Sequence, residues 1–285
     1  MAFLNRILAD TEKEIRAAKA HRSLDDLQRM IRDAPPVRSF REALAKNFAL
    51  IGEIKRRSPS GGPMSADNFE RAPSAYAQSP AVKAVSVLTN STHFGMSIEE
   101  LSRIRALVPK PVLRKDFLFD EYQLYEARAF GADAVLLMAS VLARDKLERL
   151  FALAQHLGMD ALFETHTREE IAAIPAQALI YGVNSRNFTA SRKWWLARLL
   201  VRTGFGSSNP GSDPSVELRA FSLVQYLPST AIKVAESGVG PDKVGEVARL
   251  GYHAVLVGTS LLKSPHGIEG TLQQFERAIV SIPSA

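Results

Sequence analysis

Short apolar runs, rich in β-branched residues, recur along the chain after residue 48, and amphipathic segments separate most of them. Strands that are apolar on both faces and alternate with helices are typical of a parallel sheet covered by helices. Eight runs within roughly 240 residues favour an α/β fold of the closed (β/α)8 (TIM) barrel type over an open sheet, because such barrels need about 250 residues. The eight predicted strands are residues 48–54, 82–88, 111–114, 134–138, 161–164, 179–184, 231–236 and 254–258.

The residues before the first strand, 1–47, carry helical patterns over 4–19 and again over 39–46, where Ser39 can cap the helix. We expect an N-terminal helical extension that packs against the barrel, so that residues 1–285 form a single barrel domain. The interval between the sixth and seventh strands is about twice the usual βα unit and contains residues 204–214, which are rich in Gly, Ser, Asn and Pro. That composition predicts an inserted flexible surface loop.

Composition restricts the class of protein. The chain is 46% hydrophobic and 23% charged, which is ordinary for a soluble enzyme. The absence of cysteine excludes disulfides, thiolate metal sites and cysteine nucleophiles. The first 15 residues mix acids and bases and do not resemble a signal peptide, and no stretch is long and apolar enough to span a bilayer. We therefore expect a cytoplasmic protein with no membrane partner.

The chain is basic, with a formal net charge of +6 and a pI near 9.6. Its lysines and arginines are nevertheless scattered among acids, and the densest basic cluster, Lys55-Arg56-Arg57, is short. No recognisable nucleic-acid motif accompanies it. We expect no nucleic-acid partner, because a small polyanionic substrate accounts for the local positive charge equally well.

The first predicted strand carries a carboxylate and an ammonium two residues apart, Glu53 and Lys55. That spacing puts both side chains on one face of the strand. Burying two opposite charges is costly unless they serve each other or a ligand. The strand leads into Ser58-Pro-Ser-Gly-Gly62, whose small residues allow the backbone to approach an anion or a substrate. The alternative is a solvated ion pair on an edge strand.

Polar side chains also follow or end several other predicted strands. Because the carboxyl ends of the strands form the active site of a (β/α)8 barrel, we expect these acids, bases and an amide to meet at one mouth. Glycines after the seventh and eighth strands predict a phosphate site, since loops there commonly bind phosphate through backbone N–H groups. The residues concerned are Glu53, Lys55, Arg114, Lys115, Asp116, Glu164, Asn184, Arg186, Glu236, Ser237, Gly238, Gly240, Gly258 and Thr259.

The chain resembles the indole-3-glycerol phosphate synthase family. The resemblance rests on motifs such as Glu53-Ile-Lys-Arg-Arg-Ser-Pro-Ser60 and Val112-Leu-Arg-Lys-Asp-Phe117, which occur in family order over about residues 1–280. After Asn187 the chain departs from the family pattern, with residues 188–195 replacing an expected Leu and an acidic, apolar stretch. The other matching segments are 85–89 with 93–95, 164–166, 182–187, 234–238 and 257–260.

The resemblance implies a carboxy-lyase of tryptophan biosynthesis. The family converts 1-(o-carboxyphenylamino)-1-deoxyribulose 5-phosphate to indole-3-glycerol phosphate, and it releases carbon dioxide and water. Such a reaction needs a general acid for the ketone oxygen, an anion site for the benzoate and an acid/base pair for the dehydration. No metal or organic cofactor is expected, the substrate is a small phosphosugar, and the protein is expected to be a monomer or a weak homodimer.

The resemblance also implies roles for individual residues. Lys115 is the expected general acid of ring closure, and Glu164 is the acid/base residue of the dehydration. Lys55 would contact the benzoate carboxylate and Glu53 would hold Lys55. Which of Lys55, Lys115 and Glu164 transfers which proton stays open. Asn184 is a further expected site residue, and Arg186 would bind a carboxylate. Glu236 and Ser237 would contact the sugar hydroxyls, and Ser58 with the backbone of Gly238, Gly258 and Thr259 would bind the phosphate. Phe117 and Leu136 would surround the aromatic ring.

Three ionisations can be predicted from neighbours in the sequence. Burial and crowding by other cations would lower the pKa of Lys115. Glu53, next to Lys55 on one face, would keep a low pKa. Glu164 lies beside Phe163 with no Lys or Arg close in sequence, so partial burial would raise its pKa and make it a proton donor.

Other barrel functions compete with this one. Phosphoribosylanthranilate isomerase relies on an early cysteine base, which this chain lacks. Thiazole synthase would use a Schiff-base lysine without the Ser-Pro-Ser loop. A non-catalytic phosphosugar-binding protein would have no need of a complete acid/base set.

Overall fold

Eight parallel strands form a closed barrel in the computed structural model, which describes residues 2–59, 61–186 and 218–283. Each strand lies beside its neighbours in chain order, and the first strand closes the barrel against the last. The predicted (β/α)8 barrel is therefore confirmed. Its strands are β1 (Ala49–Ile54), β2 (Val82–Leu88), β3 (Val112–Lys115), β4 (Ala134–Met138), β5 (Asp160–Thr165), β6 (Ile180–Asn184), β7 (Ile232–Glu236) and β8 (Ala254–Val257).

Helices follow the strands and cover the outside of the barrel. They are α1 (Ala2–His21), α2 (Leu24–Asp33), α3 (Phe40–Ala45), α4 (Ala66–Gln78), α5 (Ser91–Phe94), α6 (Ile98–Leu107), α7 (Glu121–Ala129), α8 (Arg144–His156), α9 (Arg168–Ala173), α10 (Val244–Arg249), α11 (Thr259–Leu262) and α12 (Gly267–Val280), with 3-10 turns at Leu218–Tyr226 and Pro241–Lys243. Within the described residues, none of these helices has the length and apolar character needed to cross a membrane.

The strand register decides which residues face the barrel axis. Parallel pairing sets Glu164 opposite Gly182 and Asn184 opposite Glu236, and paired residues share a face of the sheet. The observed strands begin and end within one residue of the predicted ones. Lys115 is the last residue of β3, where it pairs with Leu88. The polar residues predicted at the mouth are thus delivered to one end of the barrel.

The N-terminal extension comprises α1, α2 and α3. The helix α2 begins with a capping box in which Ser23 and Asp26 satisfy each other's backbone N–H groups. The phenol oxygen of Tyr122, in α7, lies 3.0 Å from the carbonyl oxygens of Ala18 and Arg22. These contacts hold the extension against the outer helices of the barrel.

The opposite end of the barrel holds a buried structural ion cluster. Asp133, which is fully buried, accepts hydrogen bonds from the backbone N–H groups of Arg38 and Val112, each at 2.8 Å. The Arg105 guanidinium lies 3.1 Å from the same carboxylate. This cluster joins the extension to β3 and contributes to stability rather than to the mouth. The insertion predicted at residues 204–214 lies outside the described residues.

Candidate active site

The pair Glu53–Lys55 is buried inside the barrel. Glu53 lies in β1, Lys55 directly follows that strand, and both side chains are only 7% exposed. The Lys55 ammonium donates a hydrogen bond to the Glu53 carboxylate. The alternative of a solvated pair on an edge strand is wrong, because β1 pairs on both sides, with β2 and β8. The charges therefore serve each other inside the mouth.

Lys115 lies between two further carboxylates. Its Nζ is 3.4 Å from Glu164 Oε2 and 3.7 Å from Glu236 Oε2. Both glutamates are 1% exposed. Glu236 comes from β7, which lies opposite β3 in the barrel, and Glu164 comes from β5, which only β4 separates from β3. Four strands of the barrel thus bring two ammonium groups and three carboxylates into one buried cluster, defined here as the mouth cluster: Glu53, Lys55, Lys115, Glu164 and Glu236.

Several oxygen atoms of the mouth cluster lack a hydrogen-bond donor. Among the described residues, Glu164 Oε1 and both carboxyl oxygens of Glu236 are buried without a hydrogen-bond partner. Buried polar atoms are normally satisfied, because an unsatisfied one costs about 1–3 kcal/mol. A polar ligand bound beside the mouth cluster would supply the missing hydrogen bonds.

The two lysines of the mouth cluster differ in their acidity. Burial lowers the pKa of Lys55, an effect that its neighbour Glu53 offsets only in part. Burial also acts to lower the pKa of Lys115, but Glu164, Glu236 and Glu53 outweigh it, so the pKa of Lys115 is raised. The predicted low pKa of Lys115 is therefore wrong. Three carboxylates, not other cations, dominate its surroundings.

The glutamates of the mouth cluster also differ from one another. Burial alone would raise the pKa of Glu53, but Lys55 and Lys115 hold it below the usual value, as predicted. Burial is likewise outweighed at Glu164, where Lys115 and His166 lower the pKa. The predicted high pKa of Glu164 is wrong. Instead, burial and the charge of Glu164 raise the pKa of Glu236 well above its usual value.

Two glycines make room for these carboxylates. A Cβ atom at Gly182 would lie 2.0 Å from Glu236 Oε1, and one at Gly258 would lie 2.3 Å from Glu53 Oε1. No side chain fits at either distance. Gly258, predicted as a phosphate contact, therefore also borders the mouth cluster.

The predicted phosphate residues gather beside the mouth cluster. The hydroxyl oxygen of Ser58 accepts a hydrogen bond of 3.0 Å from the Gly61 N–H. A Cβ atom built on Gly61 would lie 3.9 Å from Thr259 Cγ2 and 3.9 Å from Lys263 Nζ, so the loop after β1 meets α11. The Lys263 ammonium donates to the Gly61 carbonyl oxygen. Lys263 was missed in the sequence, where its only signal is its position four residues after Thr259.

The turn after β7 has an uncommon backbone. Ser237 and Gly238 have φ angles of 70° and 71°, and Ser237 is the sole non-glycine residue with positive φ among those described. A serine in this region is strained, and such strain concentrates at functional sites. The Ser185 hydroxyl donates to the Ser237 carbonyl oxygen at 2.9 Å. The loops after β6 and β7 therefore hold each other.

The remaining predicted residues lie close to this mouth. The Asn184 side-chain oxygen accepts a hydrogen bond from the Arg186 N–H at 2.9 Å, and the positive charge of Arg186 contributes to lowering the pKa of both Glu53 and Lys55. Leu136, which is buried, pairs with Leu162 on the inner face of the barrel. Phe117 is buried in the loop after β3, two residues beyond Lys115.

Arg114 points away from the mouth. Its guanidinium donates to Thr89 Oγ1 at 3.1 Å and to the Gln123 carbonyl oxygen at 2.7 Å, and it pairs with Glu126 at 2.8 Å. Alternation along β3 explains the difference, since neighbouring strand residues point to opposite faces. Arg114 therefore fastens α7 to β3 while Lys115 faces the barrel axis.

No metal ligand set accompanies the mouth. Within residues 2–59, 61–186 and 218–283, no group of three or more His, Asp or Glu side chains is arranged to hold a metal ion.

Two solved structures share the fold. Thiamine phosphate pyrophosphorylase from Pyrococcus furiosus superposes with a TM-score of 0.56 at 14% identity, covering 86% of this chain and 100% of that one. A 3-hexulose-6-phosphate synthase from Salmonella typhimurium superposes with a TM-score of 0.58 at 14% identity, covering 81% and 98%. At these identities the likeness is one of fold alone.

Comparison at the level of sequence is more specific. The family model of indole-3-glycerol phosphate synthase matches residues 4–191. The indole-3-glycerol phosphate synthase of Bacteroides thetaiotaomicron is 36% identical over 281 residues, which is 97% of this chain and 98% of that protein. The protein of the same name from a Nocardioides species is 39% identical over 272 residues, which is 92% of this chain and 94% of that protein. The chain belongs to the indole-3-glycerol phosphate synthase family.

Proposed function

We propose that this protein is an indole-3-glycerol phosphate synthase, a carboxy-lyase of tryptophan biosynthesis. Its reaction closes the indole ring of 1-(o-carboxyphenylamino)-1-deoxyribulose 5-phosphate. A bond forms between the ring carbon that bears the carboxylate and the ketone carbon, and the ketone oxygen gains a proton. Carbon dioxide leaves while its bonding electrons stay with the ring. Loss of carbon dioxide thus restores the benzene ring. The new hydroxyl then takes a second proton and leaves as water, and loss of a proton from the methylene carbon of the new five-membered ring completes the indole.

The observation that carries the proposal is the placement of Lys115 within the mouth cluster. Its ammonium lies within 4 Å of the carboxyl groups of Glu164 and Glu236, which belong to two other strands of the barrel. Because the pKa of Lys115 is raised, the ammonium is fully protonated at rest. It is thus ready to donate as negative charge develops on the ketone oxygen in the transition state. A protein that only bound a phosphosugar would have no use for this arrangement.

The dehydration requires a second proton carrier. We assign it to Glu164, which contacts Lys115 through one oxygen and leaves the other unsatisfied among the described residues. The pKa of Glu164 is lowered, which favours its carboxylate form, whereas the pKa of Glu236 is raised, which favours its protonated form. Two carboxyl groups whose pKa values are shifted in opposite directions are typical of a site that runs acid and base chemistry together.

The ends of the substrate would be held on opposite sides of this cluster. Lys55, which Glu53 orients, and Arg186 are our candidates for the benzoate carboxylate, since a guanidinium can grip a carboxylate through two hydrogen bonds. Ser58 and the backbone of Gly238, Gly258 and Thr259 would bind the phosphate. Asn184, Glu236 and Ser237 would contact the sugar, and Phe117 and Leu136 the aromatic ring. We further propose action in the cytoplasm, without metal or cofactor, as a monomer or weak homodimer.

The test is direct. Purified protein mixed with the anilino-deoxyribulose phosphate should produce indole fluorescence together with an equal amount of carbon dioxide, and a chelator should leave the rate unchanged. The reference is the same protein after heat denaturation. Saturable binding of the substrate with no fluorescence would contradict the proposal and favour a non-catalytic phosphosugar-binding protein.

A further inference from the structure

A histidine lies directly behind Glu164. His166 follows β5, and its Nε2 atom is 3.6 Å from Glu164 Oε1. Both atoms are buried and neither has a hydrogen-bond partner among the described residues. Glu164 therefore lies between two bases, since its other oxygen faces Lys115 at 3.4 Å. The distance between His166 Nε2 and Glu164 Oε1 is slightly longer than a hydrogen bond. A small movement of either side chain would bring the two atoms within hydrogen-bond distance.

The opposite edge of the imidazole is held by Glu170, in the first turn of α9. Glu170 Oε2 accepts a hydrogen bond from the His166 backbone N–H at 2.6 Å and lies 3.3 Å from Nδ1. Nδ1 is thereby fixed as the nitrogen that carries a hydrogen toward Glu170. Nε2 is left pointing at Glu164. Both ring nitrogens thus face carboxylates, an arrangement that suits the imidazolium form.

The balance of charges around His166 also favours the imidazolium form. Burial and the Lys115 ammonium act to lower the pKa of His166, but the Glu170 hydrogen bond and the charges of Glu164 and Glu170 outweigh them and raise it. At Glu164 the balance is the reverse, because Lys115 and His166 lower the pKa of that carboxyl. A proton shared by His166 and Glu164 thus rests on His166. At Glu236, which faces Glu164, burial and the charge of Glu164 raise the pKa.

We propose that His166, held by Glu170, supplies the proton that Glu164 delivers in the dehydration, a role that rests on the function proposed above. The N–H bond at Nε2 breaks as an O–H bond forms at Glu164 Oε1, so the imidazolium becomes neutral imidazole and the carboxylate becomes the acid. Glu164 then gives a proton to the hydroxyl of the intermediate, the C–O bond breaks, and water leaves. Neutral His166 regains a proton from solvent before the next turnover. His166 acts through Glu164 and does not itself contact the substrate.

A purely structural role for the same residues is the competing explanation. Thr167 caps α9 by accepting a hydrogen bond from the Glu170 N–H at 3.2 Å, and the Glu170 carboxylate reaches back to the His166 N–H. That reciprocal pattern resembles a capping box and needs no ionisation. A glutamine at position 170 keeps an oxygen for the backbone hydrogen bond but removes the negative charge. The two explanations therefore predict different pH behaviour for Glu170→Gln.

The kinetic test compares three variants. Because the imidazolium is the donor, kcat should fall as the pH rises through the pKa of His166. Glu170→Gln lowers that pKa, so the fall should move to lower pH while kcat on the acid side is kept. His166→Gln should lower kcat about 10- to 100-fold with little change in KM, and should remove that ionisation. Glu169→Gln is the matched control, since this exposed neighbour sits in the same turn of α9, and its profile should overlay that of the wild type.

A second measurement does not depend on turnover. In nitrogen-15 NMR of the intact protein, the His166 signals, assigned by their loss in His166→Gln, should titrate at higher pH in the wild type than in Glu170→Gln. Overlapping titrations in these two proteins, or near-normal kcat in His166→Gln, would overturn the role of His166 but would leave the proposed function unaffected. A wild-type protein that binds the substrate without turning it over would instead overturn the proposed function and this role with it.

Discussion

The Lys115 ammonium is stabilised by carboxylates that belong to three different strands. That arrangement has an energetic consequence, because a buried cation at this position offsets the repulsion among Glu53, Glu164 and Glu236. Removing the cation would leave the acids to repel one another, and they would adjust by taking up protons. The same residue is thus expected to matter for the protonation state of the whole mouth cluster as well as for the chemistry.

Replacement of Lys115 by methionine keeps most of the length of the side chain and removes the ammonium group. We expect kcat to fall by about 10²–10⁴-fold, the usual worth of a general acid, while substrate binding is largely kept. Steady-state kinetics with indole fluorescence as the readout would measure it. Lys13→Met is the control, because Lys13 is a largely exposed lysine of α1. A Lys115→Met enzyme that retains more than about a tenth of the normal kcat would show that the assignment is wrong.

Glu236 gives a prediction about stability. The pKa of Glu236 is higher in the folded protein than in the unfolded chain. Between these two pKa values the folded state holds a proton that the unfolded chain releases. The free energy of unfolding therefore declines as the pH rises from about 4 toward the folded pKa. Glu236→Gln mimics the protonated acid at every pH. Relative to the wild type it should therefore raise the free energy of unfolding by about 1–3 kcal/mol at pH 8 and have little effect at pH 4. Turnover should fall.

Urea denaturation at the two pH values measures this difference. The control is Glu246→Gln, which changes an exposed glutamate of α10 whose partner Lys243 is also at the surface. Surface pairs contribute little, so this variant should show no such pH dependence. An equal effect of Glu236→Gln at pH 4 and pH 8 would contradict the prediction, because it would mean that folding does not raise the pKa of Glu236.

The residue types of the site could be predicted from the sequence, and so could the low pKa of Glu53, but the pKa shifts of Lys115 and Glu164 could not. The two-residue spacing of Glu53 and Lys55 fixed their shared face, and both were correctly expected to pair. Lys115 and Glu164 are 49 positions apart, and they meet only because β3 and β5, which β4 separates, both turn these side chains toward the barrel axis. Their pKa shifts depend on that meeting, so neighbours in sequence predicted the wrong direction for both.

At the scale of elements, α1 is fastened to the loop that follows β2. The Glu14 carboxylate accepts hydrogen bonds from Asn90 Nδ2, the Ser91 hydroxyl and the Thr92 N–H, at 2.6–3.1 Å. The carbonyl oxygens of Ser91 and Thr92 in turn accept from the Arg57 guanidinium, at 3.1 and 2.8 Å. One helix of the extension thus supports the loop that carries Ser58.

Glu14→Ala should therefore affect more than local stability. We expect the free energy of unfolding to fall by about 1 kcal/mol, the net worth of partly exposed hydrogen bonds to a charged group. We also expect KM to rise severalfold with a smaller change in kcat, because the loop beside the phosphate site loses support. Thermal unfolding and steady-state kinetics measure the two effects. Glu12→Ala, at an exposed position on the same helix, should change neither.

The segment 204–214 yields a prediction from sequence alone. It contains a single large apolar residue, Phe205, and no helical or strand periodicity. Replacing it with a short Gly-Ser bridge should leave the melting temperature nearly unchanged, because its sequence offers few apolar residues to bury. Differential scanning calorimetry of the two proteins would measure this. A fall of about ten degrees or more would indicate that the segment packs on the barrel, since a protein of this size loses only a few degrees per kcal/mol.

The positions of the barrel strands were the most predictable part of the chain. Each strand is buried on both faces, so it reads as a short apolar run bounded by polar loops, and the observed limits differ by at most one residue at each end. The three N-terminal helices were less distinct. α2 was not predicted, although Leu24, Leu27, Met30 and Ile31 repeat at a helical spacing and Ser23 with Asp26 forms a capping box.

At the scale of the whole molecule, the barrel can close only late in synthesis, because its first strand pairs with its last. Ala49 of β1 pairs with Ala254 of β8, so the seam joins residues separated by about 200 positions. A ribosome adding about 5–20 residues per second would expose β1 for at least ten seconds before its second neighbour exists. Because Glu53 lies against Gly258 at this seam, no N-terminal fragment contains the finished site. The nascent chain is therefore inert until its last strand is made, and during synthesis β1 presents an open edge that a chaperone could cover.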